Sequence, residues 1–261
     1  MTLAAVSEVL IEPIPAFNDN YIWWLSNGRS AVVVDPGDAA PVARRLSETR
    51  LQLTAILVTH HHGDHVGGVE ALVHATGAHV FGPAAEPIPC VRTRLAGGDR
   101  FELLGHRFEV LDVPGHTSGH IAYYAPSLAA VFCGDTLFAG GCGRLFEGTP
   151  AQMSESLARL AALPAATRVY CAHEYTLANL RFALAVEPAN EDLKARQRTC
   201  EALRAAGTPT VPSTIADERA TNPFLRCEVA AVRARAERET PGAGASNVAT
   251  FAALREWKNR F

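Results

Sequence analysis

Thr59-His60-His61-His62-Gly63-Asp64-His65 is the stretch that decides how this chain is read. Four histidines and an aspartate fall within six residues, directly after the apolar run Ala55-Ile56-Leu57-Val58. A short aliphatic run of that kind, bounded by polar residues, predicts a strand buried on both faces. Loops that open at the ends of such strands are where α/β proteins hold their ligands. Imidazole and carboxylate together form a donor set for zinc and related divalent ions. In an extended segment side chains alternate, so His60 and His62 point the same way and can share one ion. Asp64 and His65 follow where the chain begins to turn and point elsewhere, which invites a second ion. Zinc takes about four ligands, so this loop cannot complete two sites, and more donors must come from later loops.

Those donors are present. Pro114-Gly115-His116-Thr117-Ser118-Gly119-His120 follows an expected strand at Phe108–Val113. Cys133-Gly134-Asp135-Thr136 follows the run Leu128–Phe132, and Cys171-Ala172-His173-Glu174 follows Arg168–Tyr170. Each has the form of a strand, then small residues that let the backbone turn sharply, then a ligand-type side chain. Cys133 and Cys171 sit beside donors but are read as small buried hydrophobes.

The rest of the composition narrows the field. The chain has 261 residues, 48% hydrophobic and 20% charged, with a net charge of -3. That is ordinary for a globular protein and lacks the basic field that holds nucleic acid. The longest apolar run, Leu128–Cys133, has six residues, against about 20 for a membrane span. The N-terminus shows neither the basic nor the apolar region of a secretory signal. The six cysteines, Cys90, Cys133, Cys142, Cys171, Cys200 and Cys227, form no C-x-x-C pair. They are read as reduced thiols of a cytoplasmic protein. Of 24 basic residues only Lys194 and Lys258 are lysines, neither completes an S-x-x-K motif, and no G-x-S-x-G elbow occurs.

Periodicity predicts strands at Tyr21–Leu25, Ala31–Val34, Ala55–Val58, His79–Phe81, Phe108–Val113, Ile121–Ala125, Ala130–Cys133 and Arg168–Cys171. Helices are expected at Pro41–Arg50, Val66–Thr76 and Met153–Leu163, with Ser154 capping a neighbouring turn. After about residue 173 the texture becomes helical, over Leu177–Val186, Glu191–Ala206, Arg226–Glu239 and Asn247–Trp257. Proline- and glycine-bearing segments separate these helices.

T-H-H-H-x-D-H, P-G-H-T-x-G-H, G-D-T and a late A-H-E-Y together resemble the metallo-β-lactamase superfamily. Within it the chain resembles the glyoxalase II family, the hydroxyacylglutathione hydrolases, over nearly its full length. That closer match rests on Asn18-Asp-Asn-Tyr21, Val34-Asp-Pro-Gly37, Gly134-Asp-Thr-Leu-Phe138, Gly141-Cys-Gly-Arg144, Phe146-Glu-Gly-Thr149, His173-Glu-Tyr-Thr176, Thr221-Asn-Pro-Phe224 and the tail Leu254–Phe261.

The resemblance implies an α/β fold, an αββα sandwich over residues 1–172, followed by a mainly α-helical substrate-binding domain over 173–261. It implies two divalent metal ions per chain, zinc first, with iron or manganese as alternatives. His60, His62 and His116 would hold one ion; Asp64, His65 and His173 the other; Asp135 would bridge them, with Asp64 and Asp135 counted as catalytic. His61 is left to a structural role, His120 braces a ligand, and His74, His79 and His106 carry no motif. The implied reaction is hydrolysis of S-D-lactoylglutathione to glutathione and D-lactate by a metal-activated water, in a cytoplasmic monomer. Tyr175, Arg144, Arg255 and Lys258 would contact the glutathione part. Arg144 stands where the family commonly has lysine, and Phe146 where some members carry tyrosine. Asn179, four residues after Tyr175, can share its helical face. Arg255 and Lys258, three apart, are expected as an exposed pair converging on one carboxylate. The competing readings are a single-iron glutathione persulfide dioxygenase, against which the helical C-terminal third argues, and a non-catalytic zinc module.

Overall fold

The computed structural model describes residues 8–261; the expectation about the extreme N-terminus lies outside them. The chain divides into two compact units, one formed by residues up to Asp112 together with Gly119–Gly134, the other by Val113–Ser118 and Asp135–Phe261.

The first unit layers two sheets. Strands β1 (Leu10–Ala16), β2 (Asn20–Ser26), β3 (Ser30–Val34), β4 (Gln52–Leu57), β5 (His79–Pro83) and β6 (Thr93–Leu95) form one sheet in sequence order. The first three are antiparallel, and β3 to β6 are parallel. Parallel neighbours require crossovers; helix α1 (Ala39–Thr49) carries the chain from β3 to β4, the pair α2 (Gly63–Val66) and α3 (Val69–Thr76) from β4 to β5, and a loop without a helix from β5 to β6. Asp38 caps α1 by accepting from the Ala40 N–H. The second sheet is antiparallel, with β7 (Arg100–Leu103), β8 (His106–Asp112), β9 (Ile121–Ala125) and β10 (Ala130–Gly134) in order.

Val32, Val33, Ile56, Leu57 and Val58 are fully buried, each worth about 1.5–3 kcal/mol in transfer from water. The sheets are tied by Phe81, which stacks on Phe101 at 4.8 Å. Tyr123 on β9 adds to this by donating its hydroxyl to the Val58 carbonyl at 2.7 Å.

The second unit holds the hairpin β11 (Leu137–Phe138) and β12 (Gly141–Cys142) and the antiparallel pair β13 (Arg168–Cys171) and β14 (Ser213–Thr214). Its helices are α4 (Pro150–Ala161), α5 (Thr176–Val186), α6 (Glu191–Ala205), α7 (Ile215–Thr221), α8 (Ala230–Glu239) and α9 (Asn247–Arg260). Phe182, Phe224, Phe251, Trp257 and Phe261 form one aromatic cluster.

Several sequence expectations need correction. The helix expected over Val66–Thr76 is two helices, because the Gly68 N–H leaves the ladder to donate to the Pro36 carbonyl at 2.9 Å. The α4 cap is Thr149, in a reciprocal capping box with Gln152 and with Pro150 in the first turn, and not Ser154. Helix α8 begins at Ala230, since Pro223–Leu225 forms a separate 3-10 turn before it.

Candidate active site

In the first unit the 59–65 loop is laid out by β4, which delivers Thr59 and His60 fully buried. His60 Nε2 and His62 Nδ1 face each other at 3.1 Å, as two lone pairs converging on a shared cation would. His61 turns away and pairs through Nδ1 with Glu86 at 2.9 Å, so it acts in the wall of the loop. The chain then enters α2, which carries Asp64 and His65; His65 Nε2 lies 3.5 Å from Asp64 Oδ2. Asn20 donates its Nδ2 to the same oxygen at 2.9 Å and aims that carboxylate. His120 stacks on His60 at 4.5 Å and anchors itself by donating Nδ1–H to the Ile121 carbonyl at 3.1 Å. Gly134 has φ +47, and a Cβ there would stand 2.3 Å from Thr59 Oγ1. Only glycine fits both the left-handed turn and the close approach.

In the second unit Asp135 stands between two imidazoles. His116 Nε2 is 3.4 Å from Asp135 Oδ2, and His173 Nε2 is 3.4 Å from Oδ1. A carboxylate flanked this way offers one oxygen to each side, as a bridge between two cations requires. His116 donates Nδ1–H to the Arg144 carbonyl at 2.8 Å, which fixes the tautomer that leaves the lone pair on Nε2. A Cβ on Gly143 would fall 1.9 Å from the Asp135 carbonyl oxygen, so this close approach needs glycine. Tyr175 lies parallel to the His173 ring at 4.6 Å.

A cavity of about 490 Å³ opens on these residues, within the usual ligand-site range of about 300–1,000 Å³. His116, Asp135, Phe138, Phe146, Tyr175 and Asn179 line it, together with the cations Arg144, Arg255 and Lys258. Phe146 is 63% exposed and meets the His116 ring edge-on at 5.2 Å. Asn179, which sequence left open between surface and site, is buried and donates Nδ2 to the Ala139 carbonyl at 3.1 Å.

Arg255 departs from expectation. It is no half of an exposed pair: it is buried, donates Nη1 to the Cys142 carbonyl at 2.7 Å and lies over the Phe224 ring at 5.2 Å. Its truncation therefore disturbs packing as well as charge. Lys258 is the cleaner probe. Burial, then the neighbouring Arg255, with Arg181 and Arg144 adding less, hold its ammonium down at about 8. Deprotonation as pH rises through that value removes the charge, so KM for a carboxylate-bearing substrate is expected to rise between pH 7 and 9.5 by about fivefold, with kcat flat. A Lys258→Met variant should show the raised KM at every pH and lose the rise. A wild-type KM independent of pH across this window would remove Lys258 from substrate binding.

The thiols beside the donors are chemically quiet. Cys133 and Cys171 are fully buried, and burial pushes the Cys171 thiol up to about 12. Among residues the sequence reading gave no role, Asn20 and Glu218 stand out. Glu218 accepts from the Gly140 N–H at 2.9 Å and from Asn222 Nδ2 at 2.9 Å, while Asn222 also donates to the Gly141 carbonyl at 2.9 Å. Together they hold the β11–β12 hairpin that leads to Cys142 and Arg144.

Residues 17–173 match the family model of the metallo-beta-lactamase superfamily, and residues 174–261 match that of the hydroxyacylglutathione hydrolase C-terminus. These matches define the class: a metallo-β-lactamase fold, the αββα sandwich expected from the motifs, with a C-terminal helical domain. The hydroxyacylglutathione hydrolase of Alkalilimnicola ehrlichii is 59% identical over 254 residues, covering 96% of this chain and 98% of its own. That of Albidiferax ferrireducens is 57% identical over 252 residues, covering 95% and 98%. The chain belongs to the hydroxyacylglutathione hydrolase family. Among solved structures, ETHE1 from Myxococcus xanthus matches at a TM-score of 0.68 with 25% identity, covering 95% of this chain and 90% of its own. TTHA1623, solved in a di-iron-bound form, matches at 0.53 with 34% identity, covering 63% and 91%. Among the described residues no helix is long and apolar enough to cross a membrane.

Proposed function

We propose that this chain hydrolyses the thioester of S-(2-hydroxyacyl)glutathione, typically S-D-lactoylglutathione, to glutathione and D-lactate. The observation that carries this reading is one cavity whose wall contains both Asp135 with His116 and the cations Arg144, Arg255 and Lys258. Donors for metal and donors for carboxylates thus face the same space. The names of the relatives support it.

The donor chemistry fits two divalent ions, with zinc as the resident metal: His60, His62 and His116 for one, Asp64, His65 and His173 for the other, and Asp135 shared. When bound, such ions acidify water and polarise a carbonyl oxygen. The protein's own part is positioning. Asn20 aims Asp64, the Arg144 carbonyl fixes His116, and Tyr175 and Lys258 meet the glutathione part. The thiolate that leaves has an ordinary pKa of about 8–9 and needs no strong acid beside it. Catalytic residues 1–172 and substrate-binding residues 173–261, working as a cytoplasmic monomer, complete the reading. The single-iron persulfide dioxygenase alternative has no comparable support, since residues 174–261 match the hydrolase C-terminus.

The test is a side-by-side assay of S-D-lactoylglutathione and a cephalosporin. Turnover of the thioester with little or none of the β-lactam is expected; comparable kcat/KM on both would overturn the assignment.

A further inference from the structure

Phe17 runs against two tendencies at once. It is a bulky apolar side chain left 60% exposed, and its backbone is left-handed, with φ +51. A ring so exposed gains little from the hydrophobic effect. A left-handed backbone is an outlier for a bulky residue, and such outliers cluster at active sites and ligand clamps.

The ring stands beside a candidate metal donor of its own unit. Phe17 opens the three-residue turn between β1 and β2, across which Ala16 pairs with Asn20. Asn20 is the residue that aims Asp64. Gly37 lets Phe17 and the Asp64 backbone come together: a Cβ there would stand 1.9 Å from the Asp64 carbonyl oxygen and 2.9 Å from Cε2 of Phe17. The Asp64 side chain is itself 40% exposed. An apolar ring and a donor carboxylate thus lie close together, both open to solvent.

A thioester has two arms on its carbonyl carbon. The cavity that carries Arg144, Arg255 and Lys258 suits the glutathione arm, and every residue lining it belongs to the second unit. The acyl arm is left to what stands beside the donors of the first unit, and there the exposed apolar group is Phe17.

We propose that Phe17 is a specificity-determining residue, the apolar wall against which the substituent of the acyl group lies. The substrate class it selects is glutathione thioesters whose acyl carbon bears an alkyl or aryl group, over those bearing hydrogen there. This rests on the thioesterase reading above and deepens it by assigning the acyl side of the site.

The glutathione thioesters of glycolic, lactic and mandelic acid test it, since they carry hydrogen, methyl and phenyl on the same carbon. Phe17→Asn removes the ring and keeps a residue that tolerates the left-handed backbone. It should lower kcat/KM for the mandeloyl thioester by about tenfold, the low end of what an apolar pocket yields, for the lactoyl thioester by less, and for the glycoloyl thioester least. The mandeloyl-to-glycoloyl ratio, compared between variant and wild type, is the readout, because it cancels the intrinsic reactivity of the acids and any general loss. Metal content should stay at the wild-type level and Tm should not fall. Phe17→Tyr keeps the ring and should keep the wild-type ratio. Phe146→Leu, in the cavity with the cations, should change all three thioesters alike. If Phe17→Asn fails to fold, Phe17→Gly carries the same expectation. An unchanged ratio in the ring-less variant, or an equal loss on all three thioesters with a lowered Tm, would overturn the proposal while leaving the thioesterase reading in place. Wild-type protein that hydrolyses none of the three would overturn that reading, and the acyl assignment with it.

Discussion

Asp135→Ala is expected to abolish hydrolysis and to drop metal content from two ions per chain to below one. Its two oxygens lie 3.4 Å from His116 Nε2 and 3.4 Å from His173 Nε2, so its removal takes a carboxylate oxygen away from both sides at once. Loss of a charge-stabilising centre of this kind costs on the order of 10³-fold in kcat or more, about 4 kcal/mol. Asp135→Asn separates charge from shape, since it keeps the side chain's volume in the pocket. It should retain the fold and still lose most activity. Elemental analysis and steady-state kinetics on the same preparations check this. A variant that keeps two ions and measurable turnover would show that Asp135 is not the shared ligand.

The second large effect falls on stability and lies away from the reacting groups. Glu218→Ala is expected to destabilise the protein by about 3–5 kcal/mol. Glu218 is fully buried, and Arg196 reaches it with Nη2 at 2.5 Å and Thr221 with Nη1 at 2.6 Å. Removing the carboxylate leaves a buried guanidinium without its counter-charge, and the Gly140 N–H without its acceptor. For a chain of this size that corresponds to a fall in Tm of roughly 10 °C. Removing both charges, as Arg196→Met with Glu218→Gln, should recover much of the loss. Thermal and urea unfolding measure it. A Glu218→Ala variant within about 1 kcal/mol of wild type would show that the hairpin is held by other contacts.

What the sequence made legible is what lies within a few residues. His60, His62, Asp64 and His65 announce themselves because local spacing alone fixes which way they point. His116, Asp135 and His173 stand out as candidates by the repeated pattern of strand, small residue and donor, and only the resemblance to the family selects them from neighbours such as His120 and Glu174. The residues that orient them were hidden because their partners are far away in the chain. Asn20 reaches Asp64 across 44 positions, Asp35 reaches Thr59 across 24, and Glu218 reaches Gly140 across 78. A lone Asn, Asp or Glu has no periodicity to mark it.

Strand β1 was missed because Pro13 and Pro15 argue against a strand; it lies at the sheet edge, where proline is tolerated. The burial of Arg255 was missed for a different reason. Helical spacing gives the face a residue lies on but not what covers that face, and here the Cys142 carbonyl and the Phe224 ring cover it.

The most direct measurement is a zinc titration of chelator-stripped protein with S-D-lactoylglutathione hydrolysis followed throughout. Activity should rise from near zero and level off at two ions per chain. A plateau at one ion, or a fully metallated protein that leaves the thioester intact, would contradict the account of this chain as a two-metal glutathione thioesterase.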